Sequence, residues 1–216
     1  MNSPISFVDH PGSTTNKELS IIAKLAAQLP KNSNFLEIGT MFGRSARVWY
    51  YNKPATVNMT VVDNFGVDFE NNFRGDTTLV NYAYNKSKND KTTHNTFLEL
   101  CNDFVDDIAV IDCINVIEVN FKIDFDFVYI DAGHDKNMVL AQIKKFLVSG
   151  NVIAGHDYSE SHPNVIKNCK QAARIYKRKL ILINDTAIWL LVEKKSYIIK
   201  KLKKENIAFK EITVYV

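Results

Sequence analysis

The sequence predicts an α/β fold in which a mostly parallel sheet carries helices on both faces. Short, strongly β-prone segments alternate along the chain with segments whose apolar residues recur at helical spacing. In addition, several predicted strands end at a glycine or a carboxylate, among them Gly39, Asp63 and Asp131. Sheets of this kind bind ligands at the carboxyl ends of their strands. With 46% hydrophobic residues and no internal repeat, residues 1–216 are expected to form a single domain.

The amino-terminal half of the chain alternates between predicted helices and strands. Leu19, Ile22 and Ala26 recur at helical spacing after a polar run, and Pro30 ends the helix that they predict. The elements that follow are a strand over 35–38, a helix over 44–51 and a strand over 57–62. The polar, aromatic-rich and aperiodic segment 64–90 is expected to be an inserted loop or lid, since long loops inside a domain usually serve a function.

The carboxyl-terminal half continues the alternation. Pro163 suits the first position of a helix, and the turn 184–186 indicates that the strands on either side of it pair antiparallel. The predicted elements are a helix over 92–103, strands over 108–113 and 125–130, a helix over 139–147, a strand over 152–154, a helix from 163, and strands over 180–183 and 187–192. Residues 194–216 form a C-terminal extension with a basic helix over 195–205 and a last strand over 212–216.

Composition excludes several classes of protein. A net charge of +3 does not call for a nucleic-acid or membrane partner, and the lysines of the extension are expected to line a solvated helix face. Three scattered cysteines without a CxxC pair suit a reducing compartment rather than a disulfide scaffold or a zinc knuckle. Because there is neither a secretion signal nor an apolar stretch of roughly 20 residues, a cytoplasmic location is expected. The sequence leaves a homodimer open.

The most informative stretch is the loop after the first strand, in which Glu37 precedes Gly39 and Gly43. The glycines allow a tight turn and a close approach to a ligand, although they could also serve the turn alone. Asp63 follows Gly43 by 20 positions, about the spacing at which a carboxylate reaches ribose hydroxyls. A dinucleotide site would have GxGxxG, because a pyrophosphate needs exposed backbone N–H groups. Here the pattern is ExGxxxG, and the leading carboxylate suits a cationic ligand without phosphate.

Over residues 15–193 the chain resembles the class I S-adenosylmethionine-dependent methyltransferases. It is most similar to a subgroup with an I-D-A/G-x-H segment after strand four and a G-H-D-Y segment after strand five, here 130–134 (IDAGH) and 155–158 (GHDY). The resemblance implies a Rossmann-like, seven-stranded, mostly parallel sheet with the last strand antiparallel, in three α/β/α layers. It also implies S-adenosylmethionine as cofactor, Asp63 on its ribose, and an adenine contact from Asp112 or Cys113. The remaining implied cofactor residues are Glu37, Gly39, Thr40, Gly43, Ser45 and Asp131.

Polar residues at the ends of strands four and five suggest a catalytic corner. Asp131, His156 and Asp157 could hold Mg²⁺ or Mn²⁺, although related metal-dependent enzymes carry a carboxylate at the place of His156. Asp131 and His134 are the predicted catalytic residues, with His134 as a general base on the acceptor hydroxyl. The alternatives are that Asp131 and His134 cap the next helix and that His156 and Asp157 only form a turn. His94 and His162 are expected to be surface or capping residues.

These observations together predict a methyltransferase acting on the hydroxyl of a small acceptor, assisted by a divalent metal where one binds. A nucleic-acid methyltransferase is disfavoured because the N/D-P-P-Y/F segment of the amino-methylating enzymes is absent after strand four. A protein methyltransferase and a non-catalytic cofactor-binding protein stay open, since a fold does not prove an activity. An NAD-dependent oxidoreductase is disfavoured by the spacing of the glycines.

Overall fold

Eight strands form one sheet in the part of the chain that the computed structural model describes, residues 12–65 and 93–214. In chain order they are β1 (Asn34–Ile38), β2 (Asn58–Asp63), β3 (Ala109–Asp112), β4 (Phe127–Ile130), β5 (Val152–Gly155), β6 (Lys179–Ile183), β7 (Trp189–Val192) and β8 (Phe209–Ile212). Their order across the sheet is β3-β2-β1-β4-β5-β7-β6-β8. The first five strands are parallel, β7 is antiparallel to β5 and β6, and β8 is antiparallel to β6.

The predicted fold class is therefore confirmed, while the strand count is eight rather than seven. The additional strand is β8, which the C-terminal extension adds to the edge at β6. It occupies Phe209–Ile212 and not the predicted 212–216.

Six α-helices pack on the sheet within the described residues. They are α1 (Asn16–Ala26), α2 (Arg44–Asn52), α3 (Thr93–Leu100), α4 (Met138–Phe146), α5 (Pro163–Ile175) and α6 (Tyr197–Lys204). The helix predicted over 92–103 ends earlier, at Leu100, and a 3-10 turn (Val105–Asp107) follows it. None of the helices in the described ranges is long and apolar enough to cross a membrane.

The core lies in two layers, one on each face of the sheet. Side chains alternate between the faces of a strand, so Phe35 of β1 packs with α1, α2, α3 and α6, whereas Leu36 and Ile38 pack with α4 and α5. By the same alternation Glu37 lies on the side of Phe35, where its carboxylate is enclosed. A carboxylate has thus been placed in a layer that is otherwise apolar.

The predicted insertion 64–90 lies outside the described residues, except for Asn64 and Phe65. Phe65 is buried, and its ring stacks on His94 at 4.6 Å and contacts Phe97 at 5.2 Å. This one aromatic side chain packs onto the body of the domain. The role of the rest of the segment as a lid stays a prediction.

The strand order reverses between β1 and β4, and this reversal sets the position of the site. In open α/β sheets the crevice at such a reversal, outside the carboxyl ends of the strands, is where ligands bind. The sheet hydrogen bonding extends one step beyond the strands here: Gly39 donates to Val62, Asp131 to Ile38 and His156 to Ile130, with N–O distances of 2.8, 2.8 and 3.0 Å. The residues that follow β1, β4 and β5 are therefore held side by side at the carboxyl edge of the sheet.

Candidate functional site

The two glycines of the loop after β1 are required by the packing of the chain itself. Both have φ of +85°, a left-handed conformation that favours glycine. A Cβ at Gly39 would lie 2.1 Å from the carbonyl oxygen of Asp131, and one at Gly43 would lie 2.3 Å from Sγ of Cys101. Sequence reasoning left open whether the glycines serve the turn or a ligand. These contacts explain the glycines by the turn and its neighbours, and a ligand contact remains a prediction.

Asp63 fixes the shape of this loop. Its Oδ2 accepts hydrogen bonds from the backbone N–H groups of Thr40 and Met41, both at 2.7 Å. Burial raises the pKa of the Asp63 carboxyl above its ordinary value, although these backbone donors act in the opposite direction. Met41 has φ of +51°, a conformation that non-glycine residues adopt at some energetic cost. Asp63 therefore organises the loop, and its predicted contact with a ribose stays a prediction.

Glu37 is a buried carboxylate without a hydrogen-bond partner among the described residues. Its side chain has 0% exposure, and neither Oε1 nor Oε2 meets a donor in hydrogen-bonding geometry. Burial raises the pKa of Glu37 to about 8, even though the nearby hydroxyls of Ser45 and Thr40 lower it. Oγ1 of Thr40 is likewise buried and unpaired. Because an isolated buried charge is costly, this arrangement suits a cationic ligand that would pair with Glu37.

A cavity of about 70 Å³ lies over the loop and is lined by Gly39, Thr40, Ser45, Asp131 and the segment 12–14. Arg44 holds this segment in place, since its Nη1 donates to the carbonyl oxygen of Gly12 at 3.3 Å and its Nη2 to Oδ1 of Asn16 at 2.9 Å. Sequence reasoning did not predict that the residues before α1 reach the loop.

A larger cavity, of about 140 Å³, lies between the segment 119–125 and the end of α4. This larger cavity is near the amino ends of β4 and β5, away from the loop after β1. It is therefore not the candidate ligand site.

Asp112 ends β3 beside Asp63, as predicted, because the two residues are partners in the parallel register of β2 and β3. Its side chain is 54% exposed, and its Oδ2 lies 3.6 Å from Nδ1 of His94. Cys113 contributes its backbone N–H to the carbonyl oxygen of Asp63 at 2.9 Å. Both residues thus lie at the correct edge of the sheet for the predicted adenine contact.

Asp131, His156 and Asp157 come together as predicted. Nδ1 of His156 lies 3.1 Å from Oδ1 of Asp157 and 3.6 Å from Oδ1 of Asp131. Burial by itself would lower the pKa of His156, but the surrounding carboxylates raise it well above its ordinary value. One imidazole therefore lies between two acids from neighbouring strand ends.

Glu18 completes this cluster, and sequence reasoning missed it. Its Oε1 lies 2.9 Å from Nε2 of His156 and accepts a hydrogen bond from the backbone N–H of Ala187 at 3.0 Å, while its Oε2 accepts from the backbone of Thr15 at 3.1 Å. Burial would raise the pKa of Glu18, but the contact with His156 lowers it to about 2. The T-x-x-E pattern of Thr15 and Glu18 is the signature of a capping box, which predicts the local contact at the start of α1 but not the distant one to His156.

His134 faces the opposite side of Asp157, with its Nε2 2.5 Å from Oδ2 of that residue. The hydrogen bond to Asp157 raises the pKa of His134 despite its partial burial. Burial would raise the pKa of Asp157, but His134 and His156 together hold it well below its ordinary range. Asp157 has φ of +62°, a left-handed conformation that aspartate adopts in turns, so the turn-forming alternative for this residue stays open. Helix α4 starts at Met138 after Asn137, and neither Asp131 nor His134 caps it, so the capping alternative is wrong.

His162 lies next to the same cluster, at the partly exposed start of α5. It stands at the N-cap position of α5, but its side chain makes no capping hydrogen bond. Its Nδ1 lies 3.8 Å from Oδ1 of Asp157, and its ring lies 4.4 Å from that of His134. Three histidines therefore surround one carboxylate.

Comparison with known proteins identifies the fold. No protein-family model and no curated protein sequence matches the chain. Among solved structures, an O-methyltransferase from Bacillus cereus in complex with SAH matches with a TM-score of 0.53 and 15% identity, covering 85% of this chain and 84% of that one. The chain has the class I methyltransferase fold.

Two further solved structures share the class I methyltransferase fold. An SAH-bound methyltransferase from Podospora anserina has a TM-score of 0.55 and 13% identity, over 85% of this chain and 80% of its own. A precorrin-6y C5,15-methyltransferase from Geobacter metallireducens has a TM-score of 0.59 and 9% identity, over 88% of this chain and 98% of its own. At these identities the similarity concerns the fold, and the chemistry has to be argued from the site.

Proposed function

We propose that this protein transfers a methyl group from S-adenosylmethionine to the hydroxyl group of a small acceptor. The observation that carries this proposal is Glu37, a fully buried carboxylate without a hydrogen-bond partner in the described ranges, at the end of the strand where the sheet order reverses. S-adenosylmethionine is cationic and has no phosphate, and its ammonium group would give Glu37 the partner that it lacks. A pyrophosphate beside this carboxylate would be repelled, which argues against a dinucleotide.

The other residues of the loop fit the same ligand. Asp63 holds the backbone of Thr40 and Met41 in place, so that the loop is ordered before a ligand binds. The cavity over the loop is lined by Ser45 and also by Asp131, a residue of the catalytic corner. A nucleoside bound at the loop would therefore present its reactive end towards the ends of β4 and β5.

The triad of Asp131, His156 and Asp157 fits a divalent cation. Their ligand atoms lie within 4.8 Å of one another, and Nδ1 of His156 faces both carboxylates. Nε2 of His156 lies 2.9 Å from Oε1 of Glu18, an ion-pair contact that places a carboxylate behind the imidazole, as in many metal sites. A cation bound there would take the place of the Nδ1 proton. The mixed oxygen and nitrogen set is compatible with Mn²⁺ as well as Mg²⁺.

The roles of the residues follow from these contacts. When bound, the cofactor supplies an electrophilic methyl group, and the cation lowers the pKa of the acceptor hydroxyl. His134 accepts the hydroxyl proton at Nδ1, because its other ring nitrogen, Nε2, donates a hydrogen bond to Asp157. Asp157 orients the ring and stabilises its charged form. Asp131 lines the cavity over the cofactor loop and is also a member of the metal triad, so it would align the two reactants.

Two measurements test the proposal. Calorimetry should show binding of S-adenosylmethionine and no binding of NAD, and cofactor labelled on its methyl group should release the label to a hydroxylated acceptor such as a catechol or a sugar. Activity that falls in EDTA and returns with Mn²⁺ or Mg²⁺ would support the metal. Binding of NAD in preference to S-adenosylmethionine would contradict the whole assignment.

A further inference from the structure

We propose that a second divalent cation, Zn²⁺, binds to His134, Asp157 and His162, next to the triad of Asp131, His156 and Asp157. One ligand atom from each of these residues lies within 4.8 Å of the other two. The set consists of two imidazoles and one carboxylate, which Zn²⁺ binds in many proteins while keeping a fourth position for water. We call this group the outer site. It shares Asp157 with the triad of Asp131, His156 and Asp157, and its other two residues are different.

The distances require only small movements of exposed side chains. Ligand atoms around a tetrahedral zinc ion lie about 3.4 Å apart, as follows from bond lengths of about 2.1 Å. Nε2 of His134 is now 2.5 Å from Asp157, and Nδ1 of His162 is 3.8 Å from it. The side chains of His134 and His162 are 36% and 33% exposed, so both can rotate. Such rotation can lengthen the distance from His134 to Asp157 and shorten the distance from His162 to Asp157.

The scaffold already holds the two histidine-bearing segments together. Asn164, in the first turn of α5, donates from Nδ2 to the carbonyl oxygen of His134 at 3.2 Å, and Asn168, one turn later, donates to that of Lys136 at 3.2 Å. Helix α5 begins directly after His162. The loop after β4 and the start of α5 are thus fastened to each other, which keeps the two imidazoles side by side.

Asp157 can contribute to both sites because its carboxylate lies between the histidines of the two sites and can bridge two cations. Oδ1 faces His156 and His162, whereas Oδ2 faces His134. Nδ1 of His162 also lies 3.1 Å from the hydroxyls of Ser159 and Ser161, and these weak contacts would be released when a metal binds.

Occupation of this outer site has a consequence for catalysis that rests on the proposed function. A zinc ion would bind Nε2 of His134 and so replace its hydrogen bond to Asp157, the contact that orients the proposed base and stabilises its charged form. Zinc should therefore inhibit methyl transfer that Mg²⁺ supports. The hard ion Mg²⁺ prefers oxygen ligands and should leave the two histidines of the outer site unoccupied.

The deciding experiment is a zinc titration of the full-length, metal-stripped protein in competition with a chromophoric chelator. We expect His162→Ala to weaken zinc binding by about tenfold or more, the usual effect of a lost metal-site partner. His162→Gln, which keeps a polar side chain, should behave in the same way. His94→Ala, which removes a histidine of similar exposure elsewhere, is the matched control and should bind like the wild type. His156→Asn should retain the outer site.

Zinc affinity that is unchanged in both His162 variants, or absent in the wild type, would overturn the proposal. Circular dichroism establishes that the variants are folded. In a second arm, the zinc concentration that halves Mg²⁺-supported transfer should be about tenfold higher in His162→Ala, each variant being compared with its own rate without zinc. If the protein shows no transfer at all, the proposed function fails while the binding arm still decides on the metal site.

Discussion

Replacing Glu37 by glutamine should make the stability of the protein less dependent on pH. Glu37 is fully buried and has no hydrogen-bond partner in the described part of the chain, and burial raises its pKa from 4.5 to about 8. Glutamine has nearly the same shape but no ionisable group. Its amide also pays a desolvation cost, but this cost is the same at every pH and does not affect the pH dependence.

The magnitude follows from the two pKa values. A carboxyl whose pKa is raised on folding stabilises the folded state fully below pH 4.5, and this contribution is lost as the pH rises towards 8. Each pH unit in this window costs about 1.4 kcal/mol. The wild type should therefore lose about 3 kcal/mol by pH 7 and about 5 kcal/mol above pH 8 through this single group, whereas Glu37→Gln should not.

Urea unfolding at pH 5, 7 and 8.5 measures this difference. The free energy of unfolding of Glu37→Gln should exceed that of the wild type increasingly as the pH rises, and the exposed control Glu160→Gln should follow the wild type. If the wild type and Glu37→Gln show the same slope between pH 5 and 8.5, Glu37 does not titrate in this window and the reasoning is refuted.

For cofactor binding, Glu37 predicts a pH dependence opposite to that of stability. A cationic ligand favours the ionised form of Glu37, so binding at pH 7 should release a proton and affinity should rise as the pH approaches 8. Calorimetry in two buffers of different ionisation enthalpy detects this proton. Glu37→Gln should bind S-adenosylmethionine about tenfold to a hundredfold more weakly, as for a lost charged hydrogen bond, without proton release. Unchanged affinity would remove Glu37 from the cofactor site.

The remaining predictions concern the loop and the catalytic corner. Asp131→Ala should abolish methyl transfer and leave S-adenosylmethionine affinity nearly intact; equal loss of both would mean that the residue shapes the pocket. Asp63→Ala should weaken cofactor binding by a few kcal/mol or less and speed amide exchange in the loop, since it removes the acceptor of two backbone N–H groups. Glu18→Gln should weaken Mn²⁺ binding by about tenfold to a hundredfold, measured by chelator competition, and wild-type affinity would exclude its support of His156. Gly43→Ala should lower stability by about 1–3 kcal/mol in urea unfolding because its Cβ meets Cys101, whereas Gly133→Ala, with open space around it, should not.

Much of the fold could be predicted because its signals are local. Apolar periodicity located the strands and helices to within a few residues, and the alternation of the two predicted the parallel sheet. The observed end of α3 and the observed bounds of β8 differ from the predicted ones, since element ends depend on packing as well as on local preference. The placement of β8 on the edge at β6 could not be read from the sequence, because strand pairing joins segments that are far apart in the chain.

The sequence by itself determined which chemical groups lie at the carboxyl edge of the sheet, since a strand end is a local feature and parallel strands bring their ends together. Gly39, Asp63, Asp131 and Asp157 were all found in this way. The tertiary structure decided what each of them touches. Glu18 reaches His156 because α1 packs against a strand end far from it in the chain. His162 lies beside His134 because the start of α5 packs on the loop after β4. Contacts of this kind depend on the relative placement of whole elements, and no local pattern encodes them.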